Sequence, residues 1–295
     1  MLPELIIFNR LCFLFQAITL EDSLSHQITF GLLCNKSKWL VELNIKELIS
    51  SLPKSVISSE NMFMPDSAIR KIFALVQLKS SDVFYDLACG NSNAILLAAK
   101  EFGVKQSIGI ERRKIVSRKI VPKINKIENA SLINIDVSRV SLSNADVILF
   151  WYKNERFLRT VLKKFELELK KGTRVVSIWS PPGLALPDKI DFPFFVSYAP
   201  LKYAENIQAQ FKVVYGQDCI DFTGSWLLSE KYIDAIEVVP DQYKRFVTIL
   251  SCMIIWINAW NMGLACEEQI PPPVKSYLGI LRTFFNIDLL DMFSK

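Results

Sequence analysis

The alternation of apolar and polar positions divides the chain into an α/β region and two helical flanks. Between residues 62 and 180, short apolar stretches alternate with amphipathic segments. The predicted strands cover residues 83–87, 106–110, 131–135, 147–151 and 173–178, and the predicted helices cover 66–77, 94–102, 114–127 and 155–170. Strands that alternate with helices of this length predict crossover connections and a largely parallel sheet.

Two more apolar stretches follow this repeat. We predict strands over Ile207–Tyr215 and Ile220–Leu227, since two strands without a helix between them suit an antiparallel hairpin at a sheet edge. The flanks are predicted to be helical, with an N-terminal extension over residues 1–60 and an apolar C-terminal extension over residues 236–295. The α/β domain is therefore expected to span residues 61–235.

Residues 246–266 carry no charged side chain and approach the length that crosses a bilayer. Lys244 and Arg245 precede them, so a membrane-spanning helix would place the α/β domain on the cytoplasmic side. Asn258 and Asn261 weaken this interpretation, because side-chain amides are costly in lipid. A long buried helix or a helix of a bundle is the alternative, and the sequence leaves both open.

The composition says little about partners. The net charge of +5 is a mild basic excess, spread thinly, which permits an acidic or nucleic-acid partner without favouring one. The six cysteines are scattered without a metal-binding spacing, which predicts buried, reduced thiols in a reducing cytosol. They are Cys12, Cys34, Cys89, Cys219, Cys252 and Cys266.

The single histidine, His26, excludes several kinds of catalytic site because it lies far from any motif described below. A Ser-His-Asp or Cys-His nucleophilic site needs a histidine partner, and a two-histidine metal site needs two. The chain is therefore expected to use a cofactor or carboxylates, and no metal.

The strongest motif is the turn after the first predicted strand, residues 86–91, which reads DLACGN. Its small residues let the backbone approach a ligand closely, and the helix that follows presents free N–H groups. In an open α/β sheet, cofactors bind in the crevice at the carboxyl ends of the strands. We therefore expect Asp86, Ala88, Cys89, Gly90 and Asn91 to bind a cofactor.

Two acidic residues extend this site along the neighbouring strands. Glu111 ends the second predicted strand, about twenty positions beyond the turn, where a carboxylate accepts hydrogen bonds from ribose hydroxyls. Asp136 follows the third strand and is placed to reach an adenine amino group. The full GxGxxG pattern of dinucleotide sites is absent, and the carboxylate of Asp86 suits an ammonium group better than a pyrophosphate.

The fourth predicted strand ends in two aromatic residues that are candidates for a substrate site. The faces of Trp151 and Tyr152 can hold a lysine ammonium or a methylated amine. No dedicated base is identifiable in the sequence, and Asp146, Tyr152 and Asn154 are the candidates near the site.

Each of these residues also has a purely structural interpretation. Asp86 can cap the following helix, and Glu111 can be a solvated charge beside Arg112 at a helix start. Asp136 can belong to a turn, and Trp151 can be an aromatic of the core or its rim.

In this order the motifs resemble the class I, seven-stranded S-adenosylmethionine-dependent methyltransferases. The resemblance covers about residues 62–180 and rests on Phe63-Met64-Pro65, segment 82–90, Gly109-Ile110-Glu111, segment 145–149 and segment 169–177. Most closely the chain looks like the archaeal broad-specificity protein-lysine methyltransferase and its mitochondrial relatives. The resemblance implies a Rossmann-like sheet, S-adenosylmethionine as the cofactor and lysine side chains of proteins as the substrate.

The resemblance also implies roles for the site residues. By the resemblance, Asp86 lies near the amino-acid part of the cofactor, Glu111 holds its ribose and Asp136 contacts its adenine. The turn departs from the family's pattern, which has glycine where Ala88 and Ser92 stand and an acid where Asn91 stands. A left-handed φ at Ala88 or Ser92 would cost roughly 1–2 kcal/mol of backbone strain.

We therefore predict a cytoplasmic S-adenosylmethionine-dependent methyltransferase of protein lysines, with membrane association through residues 246–266 left open. A catalytically weakened methyltransferase fold that serves as a scaffold or membrane-tethered interaction module is one alternative, and an RNA or small-molecule methyltransferase is another. An Asn-Pro-Pro-Tyr-like element, common in enzymes that methylate base amines, is missing after the fourth strand. Its absence favours a protein over a nucleic-acid substrate, and the oligomeric state is not predicted.

Overall fold

The computed structural model describes residues 64–290 and residue 293, apart from residues 88, 91, 152–154, 237–240 and 286–287. Two compact units make up this part of the chain. One holds residues 63–218 with 234–237, and the other holds the rest. The predicted N-terminal extension and His26 lie outside the described residues.

A seven-stranded sheet forms the centre of the first unit. Its strand order is β3-β2-β1-β4-β5-β8-β7, and neighbours from β3 to β5 are parallel while β8 is antiparallel to β5 and β7. The predicted α/β fold with a Rossmann-like seven-stranded sheet is confirmed. The strands are β1 (Val83–Leu87), β2 (Gln106–Ile110), β3 (Ala130–Ile133), β4 (Val147–Phe150), β5 (Arg174–Ile178), β7 (Lys189–Asp191) and β8 (Phe194–Tyr198).

The antiparallel hairpin at the sheet edge arises earlier in the chain than the sequence suggested. Strands β7 and β8 form it, whereas the predicted strands Ile207–Tyr215 and Ile220–Leu227 are wrong. Residues 207–215 are helix α5, because Asn206 caps it by accepting from the amide of Ala209 at 2.8 Å and Gly216 ends it with a left-handed φ of 69°. The minor strands β6 (Ala185–Leu186) and β9 (Lys202–Tyr203) pair separately.

Helices connect three successive pairs of strands, as the repeat predicted: α2 (Asn93–Lys100), α3 (Lys114–Ile124) and α4 (Glu155–Glu168), while a short 3-10 turn lies between β3 and β4. Helix α1 (Asp66–Leu75) precedes β1, and α5 (Ile207–Tyr215) follows β9. Apolar side chains on one side of each helix bury against the sheet; Phe150 of β4, for example, packs on Phe157 and Phe165 of α4 with ring centroids 5.7 Å away. Burial of these faces is the main source of stability for such layers.

Helix α2 approaches the sheet so closely that β2 must carry a glycine. A β-carbon added at Gly109 would lie 2.0 Å from Cδ1 of Ile95 and 2.9 Å from Sγ of Cys89. Ile95 is fully buried, and its carbonyl accepts a hydrogen bond from the hydroxyl of Ser107 at 2.9 Å. The helix is thus held at the distance that only glycine permits.

Charged side chains at the amino edge of the sheet hold neighbouring strands together. Asp146 accepts from the amide of Val83 at 2.8 Å and pairs with Lys170 at 2.6 Å. Arg174 pairs with the buried carboxylate of Asp82 at 2.6 Å. Burial opposes the charge on Asp146, but the hydrogen bonds from Lys170 and Val83 outweigh it and lower the pKa of this carboxyl.

The second unit contains helix α6 (Phe222–Ile236) as far as residue 233, together with α7 (Asp241–Asn261) and α8 (Pro272–Phe285). Helix α7 covers most of the uncharged stretch noted above, and Met253, Ile254 and Trp256 on it are fully buried. Its buried polar side chains are satisfied, since Asn258 donates to the carbonyl of Ile254 at 3.0 Å. No helix in the described part of the chain is long and apolar enough to cross a bilayer.

The prediction of reduced thiols is wrong for two of the cysteines. Cys219, before α6, and Cys266, after α7, form a disulfide across 47 residues of sequence. The chain segments around them also pair, with the amide of Ile220 donating to Leu264 at 2.8 Å. Scattered spacing could not reveal this pair, because only the folded helices bring the two residues together.

Cys89 and Cys252 are buried and form no disulfide, as predicted. Burial, with a smaller contribution from Glu230, raises the pKa of the Cys252 thiol to about 12. The thiol therefore stays protonated and unreactive at neutral pH. Cys12 and Cys34 lie outside the described residues.

We expect Gly109→Ala to lower the free energy of unfolding by about 1–3 kcal/mol, because the added methyl overpacks the contact with Ile95. The matched control is Gly279→Ala, since Gly279 is exposed inside α8 and its β-carbon meets nothing within 4 Å. That change should raise stability by roughly 0.5–1 kcal/mol through helix propensity. Thermal denaturation measures both, and equal melting temperatures for Gly109→Ala and the wild type would contradict the close approach.

The disulfide gives a second prediction. In the chain-entropy model, closing a loop of this length stabilises the folded state by about 4 kcal/mol. We expect Cys219→Ser combined with Cys266→Ser, or a reductant on the wild type, to lower the melting temperature. A reductant should not change the melting temperature of the double variant. A wild-type melting temperature that stays the same with and without reductant would show that the bond is not formed.

Candidate functional site

Three carboxylates follow three neighbouring parallel strands at the same edge of the sheet. Asp86 is the penultimate residue of β1, Glu111 follows the last residue of β2, and Asp136 lies three positions beyond β3. The amide of Glu111 donates to the carbonyl of Ile133 at 3.1 Å, so the pairing of β2 with β3 continues to this edge. Since adjacent strands lie about 4.8 Å apart, the three strand ends fall within about 10 Å.

The chain turns sharply between β1 and α2. The amide of Cys89 donates to the carbonyl of Ile110 at 3.1 Å, and its carbonyl accepts from the amide of Ser92 at 2.9 Å. Gly90 within this turn has a left-handed φ of 53°. Ala88 and Asn91 lie outside the described residues, and their roles stay predictions.

Cys89 contributes to the turn, and its role toward a cofactor stays a prediction. Both of its main-chain hydrogen-bonding groups are engaged within the fold. Its side chain is buried in an apolar cluster with Ile95, Ile120 and Ile124. A cofactor at this turn would therefore meet the backbone near Gly90, which is partly exposed.

Ser92 has the strained, left-handed backbone that the sequence analysis considered for this turn. It precedes α2 with φ 71° and ψ 6°, a left-handed conformation that a β-carbon disfavours. The residue is fully buried. The turn thus keeps a glycine-like backbone even though serine stands there.

Glu111 is buried and fixed in orientation. The side chain is 2% exposed, and its Oε1 accepts from the amide and the Nε of Arg113 at 2.8 and 3.1 Å. Its Oε2 accepts from Nη2 of the same arginine at 3.1 Å. The interpretation of Glu111 as a solvated charge is therefore wrong. Arg113 is half-exposed, so its guanidinium can move into solvent when a ligand hydroxyl replaces it on the carboxylate of Glu111.

Asp136 performs the structural role that the sequence allowed and remains accessible. Its Oδ1 accepts from the amide of Ser138 at 3.0 Å and so caps the short 3-10 turn Val137–Arg139. Its Oδ2 lies 3.8 Å from the guanidinium of Arg112, and the side chain is 44% exposed. The partial exposure of this carboxylate is compatible with a ligand role.

Asn134 and Trp179 lie at the carboxyl edge of the sheet, and the sequence analysis predicted neither of them there. Asn134 donates to the carbonyl of Glu111 at 2.5 Å, which ties the exits of β3 and β2 together. Trp179 follows β5 with a left-handed φ of 77°, and its amide donates to Pro193 at 2.7 Å. Strained backbone of this kind is concentrated at functional sites. No pattern in the sequence signals it.

The substrate side of the edge is only partly described. Trp151 directly follows β4 and is half-buried, and Trp179 directly follows β5, the neighbouring strand. Tyr152 and Asn154 lie outside the described residues, so their catalytic roles stay predictions. Asp146 is wrong as a candidate base, because it precedes β4 at the opposite edge of the sheet. Among the described residues, no group of three acidic, cysteine or histidine side chains could hold a metal ion.

This arrangement fits an elongated ligand with a cationic end and a nucleoside end. The partly exposed backbone at Gly90 follows the carboxylate of Asp86 in the same turn. The fixed carboxylate of Glu111 suits two neighbouring hydroxyls, and Asp136 suits an exocyclic amine. These are the functional groups that the predicted cofactor carries.

Comparisons with known proteins agree on the class of enzyme. A family described as "Histone methylation protein DOT1" matches residues 62–181. A protein-lysine N-methyltransferase of Saccharolobus islandicus (strain REY15A) is 33% identical over 117 residues, which is 38% of this chain and 71% of that protein.

Solved structures with a similar fold are more distant. An RNA methyltransferase from Salinibacter ruber, bound to S-adenosyl-L-homocysteine, overlaps with a TM-score of 0.44 at 21% identity, over 48% of this chain and 97% of that chain. Precorrin-6y C5,15-methyltransferase from Geobacter metallireducens overlaps with a TM-score of 0.33 at 13% identity, over 43% of this chain and 66% of that chain. Both overlaps are too loose to bear on function.

We expect the free energy of unfolding of Ser92→Gly to exceed that of Ser92→Ala by about 1 kcal/mol, because glycine adopts the left-handed conformation without the β-carbon clash. Ser92→Ala is the matched control, since it keeps the β-carbon and should bring no gain. Thermal denaturation distinguishes them. A Ser92→Gly protein that melts no higher than Ser92→Ala would contradict the strain.

Proposed function

The chain belongs to the methyltransferase family of the archaeal protein-lysine N-methyltransferase, and on that premise we propose that it methylates lysine side chains of a protein substrate. As a member of this family it is an S-adenosylmethionine-dependent enzyme. The predicted cofactor and reaction class are thereby confirmed. The lysine specificity is our proposal, supported by the activity of the relative and by the aromatic residue at the end of β4.

The observation that carries the proposal is the row of carboxylates on three adjacent strand ends. Asp86 would hold the ammonium of the cofactor's amino-acid part, because an opposite charge is the strongest partner a buried carboxylate can have. Glu111 would accept from both ribose hydroxyls, and Asp136 would accept from the adenine amine. The backbone at Gly90 would lie against the ligand where a side chain would be in the way.

The chain's own part in the reaction is to position and desolvate the acceptor. The bound cofactor supplies an electrophilic methyl group on a sulfonium. A lysine amine attacks only when it is neutral, and burial against aromatic faces lowers its pKa toward that state. Trp151 stands at the end of β4 and can form one wall of such a channel, with Tyr152 as the predicted second wall. The proton of the amine leaves to solvent, with Tyr152 and Asn154 as the predicted hydrogen-bonding partners of the amine.

Labelling of a protein mixture tests the proposed function. We expect the enzyme to transfer labelled methyl groups from S-adenosylmethionine to proteins, with the label recovered as methyl-lysine after complete hydrolysis. Asp86→Asn should reduce the rate at low cofactor concentration by about 10–100-fold, because a hydrogen bond to a charged group is lost.

The control for that experiment is Glu101→Gln. Glu101 forms an exposed ion pair with Arg70 at 2.8 Å, away from the carboxyl edge, and exposed pairs contribute little. Its rate should equal that of the wild type. Label recovered in methylarginine or in nucleic acid, rather than in methyl-lysine, would overturn the lysine proposal while leaving the cofactor site intact.

A further inference from the structure

The charge of the chain is concentrated in one short segment, contrary to the thin spread expected from composition. Residues 112–127 carry seven lysines and arginines and no acidic residue, whereas the whole chain has a net charge of only +5. The segment contains helix α3 and its two flanks. The seven are Arg112, Arg113, Lys114, Arg118, Lys119, Lys123 and Lys126.

Helix α3 turns its cations to one side. Ile120 and Ile124 are buried in the cluster against the sheet. At 100° per residue, Lys114, Arg118 and Lys123 fall within one half of the helix surface, on the side away from these isoleucines. Lys126 follows two residues after the helix ends, and it is exposed like Lys114, Arg118 and Lys123. We call this half of α3, together with Arg112 and Lys126, the basic face.

The fold does not use this charge. In the part of the chain that the structure describes, Lys114, Arg118, Lys123 and Lys126 form no ion pair, and Arg112 reaches Asp136 only at 3.8 Å. Lys114 begins the helix, whose first turn holds no acidic residue, although the dipole at a helix N-terminus favours negative charge. Repulsion among these cations and their interaction with the helix dipole both lower the stability of the fold. Binding of an external partner therefore explains the arrangement better than a role in folding does.

The basic face starts at the candidate site. Arg112 immediately follows Glu111, and β2 lies two strand spacings, or about 10 Å, from β4 and its Trp151. From there the helix extends away from the carboxyl edge by about 16 Å. The cations therefore lie roughly 10–25 Å from the end of β4, where the acceptor lysine is proposed to enter.

We propose that the basic face binds an acidic segment of the protein substrate and thereby selects lysines that have aspartates and glutamates nearby. This inference rests on the proposed function. An extended peptide spans about 3.3 Å per residue, so the acidic residues would lie about three to eight positions from the target lysine. A single-stranded nucleic acid fits less well, because the segment contains no aromatic side chain on which bases could stack.

A pair of peptides tests the inference. Both have the same central lysine, and one carries glutamates three to eight positions away where the other carries serines. Fluorescence anisotropy measures peptide binding in the presence of S-adenosylhomocysteine, and mass spectrometry measures methylation. We expect the wild type to bind the acidic peptide about tenfold or more tightly, with the difference shrinking as salt screens the charges.

The test variant combines Arg118→Glu, Lys123→Glu and Lys126→Glu, none of which contacts the candidate site. It should lose the preference for the acidic peptide through KM, with kcat and cofactor binding unchanged. The control variant makes the same change in charge elsewhere on the first unit, at Lys105, Lys163 and Lys171, all exposed. It should retain the preference.

The outcomes separate the two proposals. Tight, charge-dependent binding of the acidic peptide without lysine methylation would uphold the basic face and overturn the lysine proposal. Equal binding of both peptides, or equal loss in the two variants, would overturn the basic face. Binding of an RNA or DNA duplex that the test variant alone loses, without a preference between the peptides, would reassign the face to nucleic acid.

Discussion

The parallel register of β1, β2 and β3 is the constraint on which the site depends. Because the strands run side by side in the same direction, residues that follow each strand arrive at one edge, and Asp86, Glu111 and Asp136 meet there from distant parts of the sequence. That register holds only if α2 can lie close on the strands. Because glycine has no side chain, Gly109 lets α2 lie this close, and the left-handed residues Gly90 and Ser92 set the direction in which the helix begins.

The charged residues at the two edges of the sheet have different roles. At the amino edge, Asp82, Asp146 and Arg174 are engaged with partners in the fold. At the carboxyl edge, Glu111 is held by a half-exposed arginine and Asp136 remains partly open to solvent. The first arrangement supports the sheet, and the second keeps carboxylates oriented for a ligand, which is the property that a binding site requires.

The sequence predicted the first unit well where periodicity and turn residues agree. Strands β1, β2 and β4, and the acids at the ends of β1 and β2, follow directly from short apolar runs and the glycine turn. It failed at residues 207–215, where apolar β-formers occupy a capped helix, and at the Cys219–Cys266 bond, which depends on contacts far apart in sequence. The strained backbone of Trp179 has no local signature, because the surrounding fold imposes it.

The central claim is that the buried acids at the carboxyl edge bind S-adenosylmethionine. Calorimetric titration of the wild type, Glu111→Gln and the exposed control Glu128→Gln measures this directly, with circular dichroism to verify that each protein is folded. The account predicts equal affinity for the wild type and the control, and binding at least about tenfold weaker for Glu111→Gln, where a charge-assisted bond to the ribose is lost. Equal affinity in all three proteins would contradict it.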